Sequence, residues 1–250
     1  MIRHVGTALW LSLLGLAACS SQHNAAEPAG NDGAASNQEA PPAAVAANAF
    51  EPGGTNPAVP ADPTRLVSCA ADIGATRADR LAKLCRNVSP ATHPPCNVAN
   101  SCAMIEDEIA RSCALFGEKD PPMPGCTPPK GMEAAAAVVE RYYSALNAHD
   151  YDTAWQQWGA NGPPSQTRDK FVAGFAHTRS TRVTIGKLQP GEGAAGSIYQ
   201  TVPVTVEATL DDGSQQRFSG NYVVRRVNDV DGASPDQLRW HLGSAHLKAQ

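Results

Sequence analysis

The chain has 250 residues, 18% of them charged and 42% hydrophobic, with a formal net charge of −4. Without a basic excess it has no electrostatic means of gathering nucleic acid onto its surface. Without a polybasic run it has no electrostatic hold on an anionic membrane.

The N-terminus reads as an export signal. Arg3 supplies a positive charge, and residues 5–16 are apolar apart from Thr7 and Ser12. This run is shorter than the roughly 20 residues needed to span a bilayer. Small residues then precede a cysteine in Leu16-Ala17-Ala18-Cys19, the pattern of a cleavage site. These four residues resemble the bacterial lipobox. The resemblance implies a signal peptide over 1–18, acylation at Cys19 and a membrane lipid anchor, firm because several acyl chains add their burial. The non-acidic Ser20 resembles the sorting pattern of outer-membrane lipoproteins in a Gram-negative host, so the expected place is the outer membrane, facing the periplasm. Residues 19–64 are rich in Ala, Pro, Asn and Gly, with Phe50 the single large aromatic. Such a segment buries too little apolar surface to offset its ordering entropy. It is expected to act as a tether with a root-mean-square span of roughly 35–40 Å.

Region 65–129 holds every cysteine after Cys19. Cys69, Cys85, Cys96, Cys102, Cys113 and Cys126 in an exported chain imply three disulfides. Zinc is the rival, but no Cys-x-x-Cys pair is present and only His93 lies in the stretch. Thr76 reads as the N-cap of a helix over about 77–86, with Ala78, Leu81 and Cys85 on one stripe. Ser101 reads as the cap of a second helix, from Cys102 to about Phe116. Cys102, Ile105, Ile109 and Cys113 share one face there, and Glu106, Asp107, Glu108 and Arg111 take the others. The proline-rich 89–95 segment turns the chain between them. An antiparallel hairpin of this kind favours Cys85–Cys102, Cys69–Cys113 and, by remainder, Cys96–Cys126. A piece of about 60 residues has a marginal core, and disulfides offset that by typically 2–4 kcal/mol each. The run from Ser89 to Cys113 resembles a cysteine-rich segment of uncharacterised exported proteobacterial proteins, and no activity comes with it.

Region 131–250 opens on an amphipathic helix with Ala135, Val138, Val139, Tyr142 and Leu146 on its apolar face; Glu133, Glu140 and Arg141 lie away from it. Asp152 is expected to cap a short helix carrying Trp155 and Trp158. Ser165 or Thr167 starts a third helix, with Phe171, Val172 and Phe175. The period then changes from helical to alternating, predicting strands near 181–188, 197–210, 215–228 and 237–247. Asp211-Asp212-Gly213 is a hairpin turn. The fold class is therefore α+β: a disulfide-braced helical hairpin, then about three helices on a curved antiparallel four-stranded sheet.

Residues 138–146, Val-Val-Glu-Arg-Tyr-Tyr-Ser-Ala-Leu, followed by Asp150-Tyr151-Asp152-Thr153-Ala154-Trp155, resemble the nuclear-transport-factor-two-like, or SnoaL-like, superfamily. The resemblance covers about half of the chain. It implies a cone-shaped cavity between sheet and long helix, in a superfamily of isomerases, cyclases, dehydratases and many non-enzymatic binding domains. Tyr142, Trp155, Trp158 and Tyr222 are the residues expected to line such a cavity.

The residues that could serve chemistry there are Tyr142 or Tyr143, Asp152, Tyr222 and His241. Each has a plainer role: Asp152 as a helix cap, Tyr142 as core, and His241 pointing to solvent opposite Trp240 and Leu242. Nothing in their spacing assembles a base with an oxyanion donor, so no catalytic residue, metal ligand or cofactor is assigned. Gly191, Gly193 and Gly196 satisfy Gly-x-Gly-x-x-Gly, but a β pattern follows where a dinucleotide loop needs a helix. The sequence thus reads as a non-enzymatic envelope lipoprotein that binds an envelope protein or a small ligand and no nucleic acid. A SnoaL-like isomerase or hydro-lyase acting on a small apolar molecule is the second reading, and an inhibitor or immunity lipoprotein the third. Cys19→Ser is expected to abolish incorporation of labelled fatty acid and to move the protein to the soluble fraction. Membrane retention of the substituted chain would show a different anchor.

Overall fold

Capping side chains set where the helices begin. In the computed structural model, which describes residues 65–90, 94–116 and 123–250, Ser68 caps a helix absent from the sequence reading, α1 (Cys69–Ile73). Gly74, at φ 81°, redirects the chain into α2 (Ala75–Val88), so Thr76 lies in the first turn and does not cap it. A 3-10 turn, Pro94–Cys96, leads to α3 (Cys102–Cys113), capped by Ser101 as expected. The expected signal peptide over 1–18, the expected acylation at Cys19 and the expected tether over 19–64 lie outside the described residues.

Three disulfides join the six cysteines, and their pairing differs from the hairpin expectation. Cys69 pairs with Cys102, Cys85 with Cys96, and Cys113 with Cys126. The expected Cys85–Cys102, Cys69–Cys113 and Cys96–Cys126 fail because α1 docks on the entry to α3. There the Cys69 and Ala70 amides donate to the Asn100 and Val98 carbonyls at 2.6 and 3.1 Å. Cys69 is thereby placed beside Cys102, and the 3-10 turn brings Cys96 back to the last turn of α2. The Cys69–Cys102 and Cys85–Cys96 bridges, with Ala78 and Ile105, form a small core of their own.

The second half is the α+β layer pair expected from the sequence. It comprises α4 (Met132–Asn147), α5 (Tyr151–Gln156) and α6 (Arg168–Gly174), then β1 (Thr178–Ile185), β2 (Glu192–Ala194), β3 (Ser197–Leu210), β4 (Gln215–Val227) and β5 (His241–Ala249). The sheet is antiparallel with order β1-β3-β4-β5, and the short β2 pairs with β3, giving five strands where four were expected. The Gly191–Gly196 segment is this β2–β3 hairpin. At the β3–β4 turn the Leu210 amide donates to the Ser214 carbonyl at 2.9 Å, and Gly213 takes φ 83°. The last strand starts at His241, later than the alternation of Leu238, Trp240 and Leu242 suggested. A turn at Ser234–Leu238 holds Leu238 outside the ladder, and Trp240 donates its indole N–H to the Pro129 carbonyl at 2.8 Å. Asp150, not Asp152, caps α5, because its carboxylate accepts from the Thr153 amide at 3.1 Å. Helix α4 lies on the sheet, and Asn147 at its end clasps the Thr181 backbone from both sides, at 2.7 and 2.8 Å.

The two halves meet across buried polar groups. Asp107 of α3 accepts from Arg239 at 2.8 Å and from the Gln157 amide at 2.9 Å, and lies 3.8 Å from Arg141. Ser101 donates to Asp150, tying the N-termini of α3 and α5 together. Glu108 is buried too, and takes Arg111, Ser89 and Ser112 as partners. By helical period Asp107 and Glu108 lie off the cysteine face of their helix and Arg141 lies off the apolar face of α4. All three are buried, because α3 has a cystine face toward α2 and a second face against α4. The Ala103 side chain on that second face joins the larger core of α4 and the sheet. The described residues belong to one compact unit, and none of their helices is long and apolar enough to cross a membrane.

Burial pushes the Asp107 carboxyl up, but Arg239 and Arg141, with hydrogen bonds from Gln157 and Arg239, hold it below its ordinary value of 3.8. A depressed carboxyl stabilises the fold above its unfolded value, and that contribution disappears as pH falls through the folded value. Asp107→Ala takes the buried carboxylate from Arg141 and leaves Arg239 only the more exposed Asp236, at 3.3 Å, and is expected to cost about 3–5 kcal/mol in urea unfolding at neutral pH. Asp107→Asn is expected to show a shallower loss of stability than the parent as pH falls below about 4. Identical acid profiles would remove Asp107 from this role.

Candidate functional site

Sheet curvature and helix packing leave a cavity of about 710 Å³ in the second half of the chain. Consecutive residues on α4 step by about 100°, so Arg141 faces the polar seam while Tyr142 and Tyr143 face the cavity. From the sheet, Val206, Ala208, Phe218 and Tyr222 complete the wall. Phe171 and Phe175 come from α6 and the residue after it, and Trp158 from the turn after α5. The aromatic rings meet edge to face. Tyr142 lies 5.1 Å from Tyr143 and 5.9 Å from Trp158, centroid to centroid, and Tyr143 lies 6.2 Å from Tyr222. Such contacts fix ring orientation as well as burying area.

Three of the four residues expected to line the cavity do so: Tyr142, Trp158 and Tyr222. Trp155 does not. Its ring packs on Phe171 at 5.4 Å and beneath Gly162, and it lines an outer cleft between α3 and α5. The three-residue step that grouped the two tryptophans assumes a continuing helix, but α5 ends at Gln156. Phe171 is absent from the expected lining, and Tyr143 enters the sequence reading only as an alternative to Tyr142. The adjacent aromatics at 142 and 143 were a signal for Tyr143, since a helix covered on two sides buries neighbouring positions.

The polar groups in the wall are mainly hydroxyls. The Tyr143 and Tyr222 hydroxyls share a hydrogen bond of 2.8 Å. Thr178, Thr181, Ser244, Gln166 and Gln216 lie in the lining, and the exposed Lys170 stands at the rim. No carboxylate or imidazole is in it. Asp152 instead pairs with Arg168 at 2.6 Å and faces the outer cleft. His241 is not at the surface: its side chain is 16% exposed, 3.4 Å from Asp236 and 3.3 Å from an Arg239 guanidinium nitrogen. Burial and Arg239 lower its pKa against the opposing pull of Asp236 and Asp107. A neutral His241 fits beside a guanidinium already committed to Asp107. Among the described residues no group of His, Cys, Asp and Glu could hold a metal ion.

Burial raises all three cavity tyrosines. Tyr143 is pushed up to about 12, and Tyr142 and Tyr222 rise further. Tyr222 rises most because, beyond burial and its neighbouring tyrosines, its hydrogen bond to Tyr143 favours the protonated form. Either hydroxyl can donate in that bond, and it engages one of the two hydroxyl hydrogens. These hydroxyls are therefore hydrogen-bond donors at neutral pH, never bases.

Neither a protein-family model nor a curated protein sequence matches the chain. Among solved structures, the crystal structure of a conserved protein from Planctomyces limnophilus DSM 3776 resembles part of it. The identity is 11%, the match covers 47% of this chain and 96% of that one, and the TM-score is 0.35. A likeness at that level carries no functional argument.

Raised tyrosines stabilise the fold below their unfolded value of about 10, and that contribution is lost as pH rises through the folded value. In an ultraviolet tyrosinate titration, Tyr142, Tyr143 and Tyr222, three of the chain's five tyrosines, are expected to stay protonated until pH reaches about 12 or the fold opens. Ionisation of all five by pH of about 11 in a chain with intact circular dichroism would contradict the buried cluster.

Proposed function

We propose that the protein is an envelope lipoprotein, anchored through Cys19 to the outer membrane and facing the periplasm, whose cone-shaped half holds a small, mostly apolar molecule without transforming it. One observation carries the binding part: a cavity of about 710 Å³, within the range of small-molecule sites, walled by aromatic and aliphatic side chains with a few hydroxyls. Its chemistry argues for holding over turnover. Isomerisation or water elimination beside a carbonyl needs a group to take a proton near neutral pH. The lining offers three raised tyrosines and an exposed lysine, and both Asp152 and His241 face other clefts. The lipobox resemblance supports the anchor, and the three disulfides fit an oxidising compartment.

The test uses the full chain carrying Cys19→Ser and the apolar dye N-phenyl-1-naphthylamine. Saturable, blue-shifted fluorescence is expected, and it should vanish when Ala208→Trp fills the cavity while circular dichroism stays unchanged. Dye binding that survives Ala208→Trp, or no binding at all, would refute a ligand-holding cone.

A further inference from the structure

Trp155, turned away from the cone, lines a second cavity of about 590 Å³ between α3 and α5. That volume is within the range of small-molecule sites, and junctions between packed modules are where such sites concentrate. The Trp155 side chain is half-buried, packed on Phe171 at 5.4 Å and beneath Gly162. Its indole N–H makes no hydrogen bond among the described residues and stays accessible to solvent. Pro95 and Met104 extend the apolar surface. Gln156 stands exposed in the same wall, with its amide bonded to no protein group among the described residues.

The charges of the cleft restrict what it takes. Every carboxylate in the wall already has a guanidinium: Asp107 has Arg239 and Arg141, Glu108 has Arg111, Asp152 has Arg168, and Asp236 has Arg239. Four carboxylates thus meet four guanidiniums, and an entering ion finds no uncompensated opposite charge to offset its lost water. The pairs still offer hydrogen-bonding atoms, because a carboxylate accepts at both oxygens and a guanidinium carries five N–H donors. The Asp152 and Asp236 side chains are exposed. Arg239 is 9% exposed, and its Nε–H lies 3.3 Å from Asp236 without the geometry of a hydrogen bond. A buried donor in that state is costly, and an oxygen seated between Arg239 and Asp236 supplies its acceptor. A hydroxyl suits such a wall, since it gives a hydrogen to a carboxylate and takes one from an N–H. A sugar ring carries adjacent hydroxyls together with a face of C–H groups for an indole. We propose that the cleft between α3 and α5 binds an uncharged saccharide, with a ring face on Trp155 and hydroxyls on Asp152, Gln156 and Asp236, at a site separate from the cone cavity.

The Cys19→Ser chain would be titrated calorimetrically with cellotetraose, with tetra-N-acetylchitotetraose and with tetralysine, while N-phenyl-1-naphthylamine reports on the cone in parallel runs. At least one saccharide is expected to bind saturably and to shift the tryptophan emission. Its affinity should hold between about 50 and about 500 mM salt, because no net charge is exchanged. Trp155→Phe should abolish the emission shift and weaken binding about tenfold. Gln156→Ala, at an exposed position, should weaken it about fivefold, as one modest hydrogen bond provides. Both variants should keep the parent's circular dichroism and dye affinity. Saccharide binding unchanged in both variants, or a saccharide that displaces the dye, would move the site out of the cleft and overturn the proposal. Tetralysine binding tighter than either saccharide, or affinity falling steeply with salt, would overturn the uncharged class. No saccharide binding with dye binding intact would overturn this inference and leave the cone standing. Saccharide binding that is weakened by Trp155→Phe, in a chain that fails to bind the dye, would uphold the cleft and refute the cone.

Discussion

The Asp107 carboxylate is the joint on which the two halves depend. It comes from the cystine-braced helices and reaches Arg239 and Arg141, which belong to the other half and are separated from it by long stretches of chain. A charge in a poorly solvated seam is tolerated only with opposite charge and hydrogen bonds around it. That requirement orients α3, since Asp107 meets its partners only when Ala103 on the same face enters the larger core and the cystine face turns toward α2. The disulfides act one step earlier. A module of this size has little apolar core, and cross-linking restricts the alternatives that would otherwise leave α3 loose. Buried charge then supplies orientation and the cystines supply rigidity.

Helix α4 turns this joint into a wall. Its polar register, at Arg141, is committed to the seam, and its aromatic register, at Tyr142 and Tyr143, is committed to the cavity. Rotation about the helix axis would disturb both at once, so the seam geometry holds the tyrosine hydroxyls in place. The cavity inherits its shape from the sheet and its donor positions from an ion pair on the far side of the helix. Asn147, clasping the Thr181 backbone, holds the other end of the same helix against β1.

Much of this architecture was legible in the sequence, and the exceptions have a common cause. The β3–β4 hairpin reads directly, because Val202, Val204, Val206 and Ala208 alternate with polar residues up to an Asp-Asp-Gly turn. Helices α3, α4 and α6 read from their caps and periodicity. The misreadings fell where an element is covered on more than one side. Asp107, Glu108 and Arg141 look like solvated faces by period alone, and His241 looks like the outward side of an edge strand. Asp107 and Arg141 are buried against segments distant in sequence, Glu108 is buried with Ser89 of the preceding helix end among its partners, and His241 is half-buried beside Asp236 and Arg239 of the turn before it. The disulfide pairing failed for a related reason. A five-residue helix at Cys69 leaves too short a periodic trace to notice, yet it decides which cysteine meets Cys102. Of the cavity, Tyr142, Trp158 and Tyr222 could be named in advance. The separation of Trp155 from Trp158 could not, because it depends on a helix that stops at Gln156.

The order of the cysteines has a consequence for how the protein is made. The Cys85–Cys96 bridge is nested inside Cys69–Cys102, and Cys113–Cys126 follows both. A chain exported N-terminus first, as proposed, delivers Cys69 and Cys85 to the oxidising side before either native partner has arrived. An oxidant that joins thiols in order of arrival would close the wrong ring, and only attack by a later thiolate could reopen it. The sole cysteines that such a sequential oxidant pairs correctly are the last two. Maturation of the first module therefore calls for either a delay in oxidation until α3 has emerged or a catalyst of disulfide exchange. Biogenesis of this protein would then depend on the compartment's isomerising capacity as well as on its oxidising power.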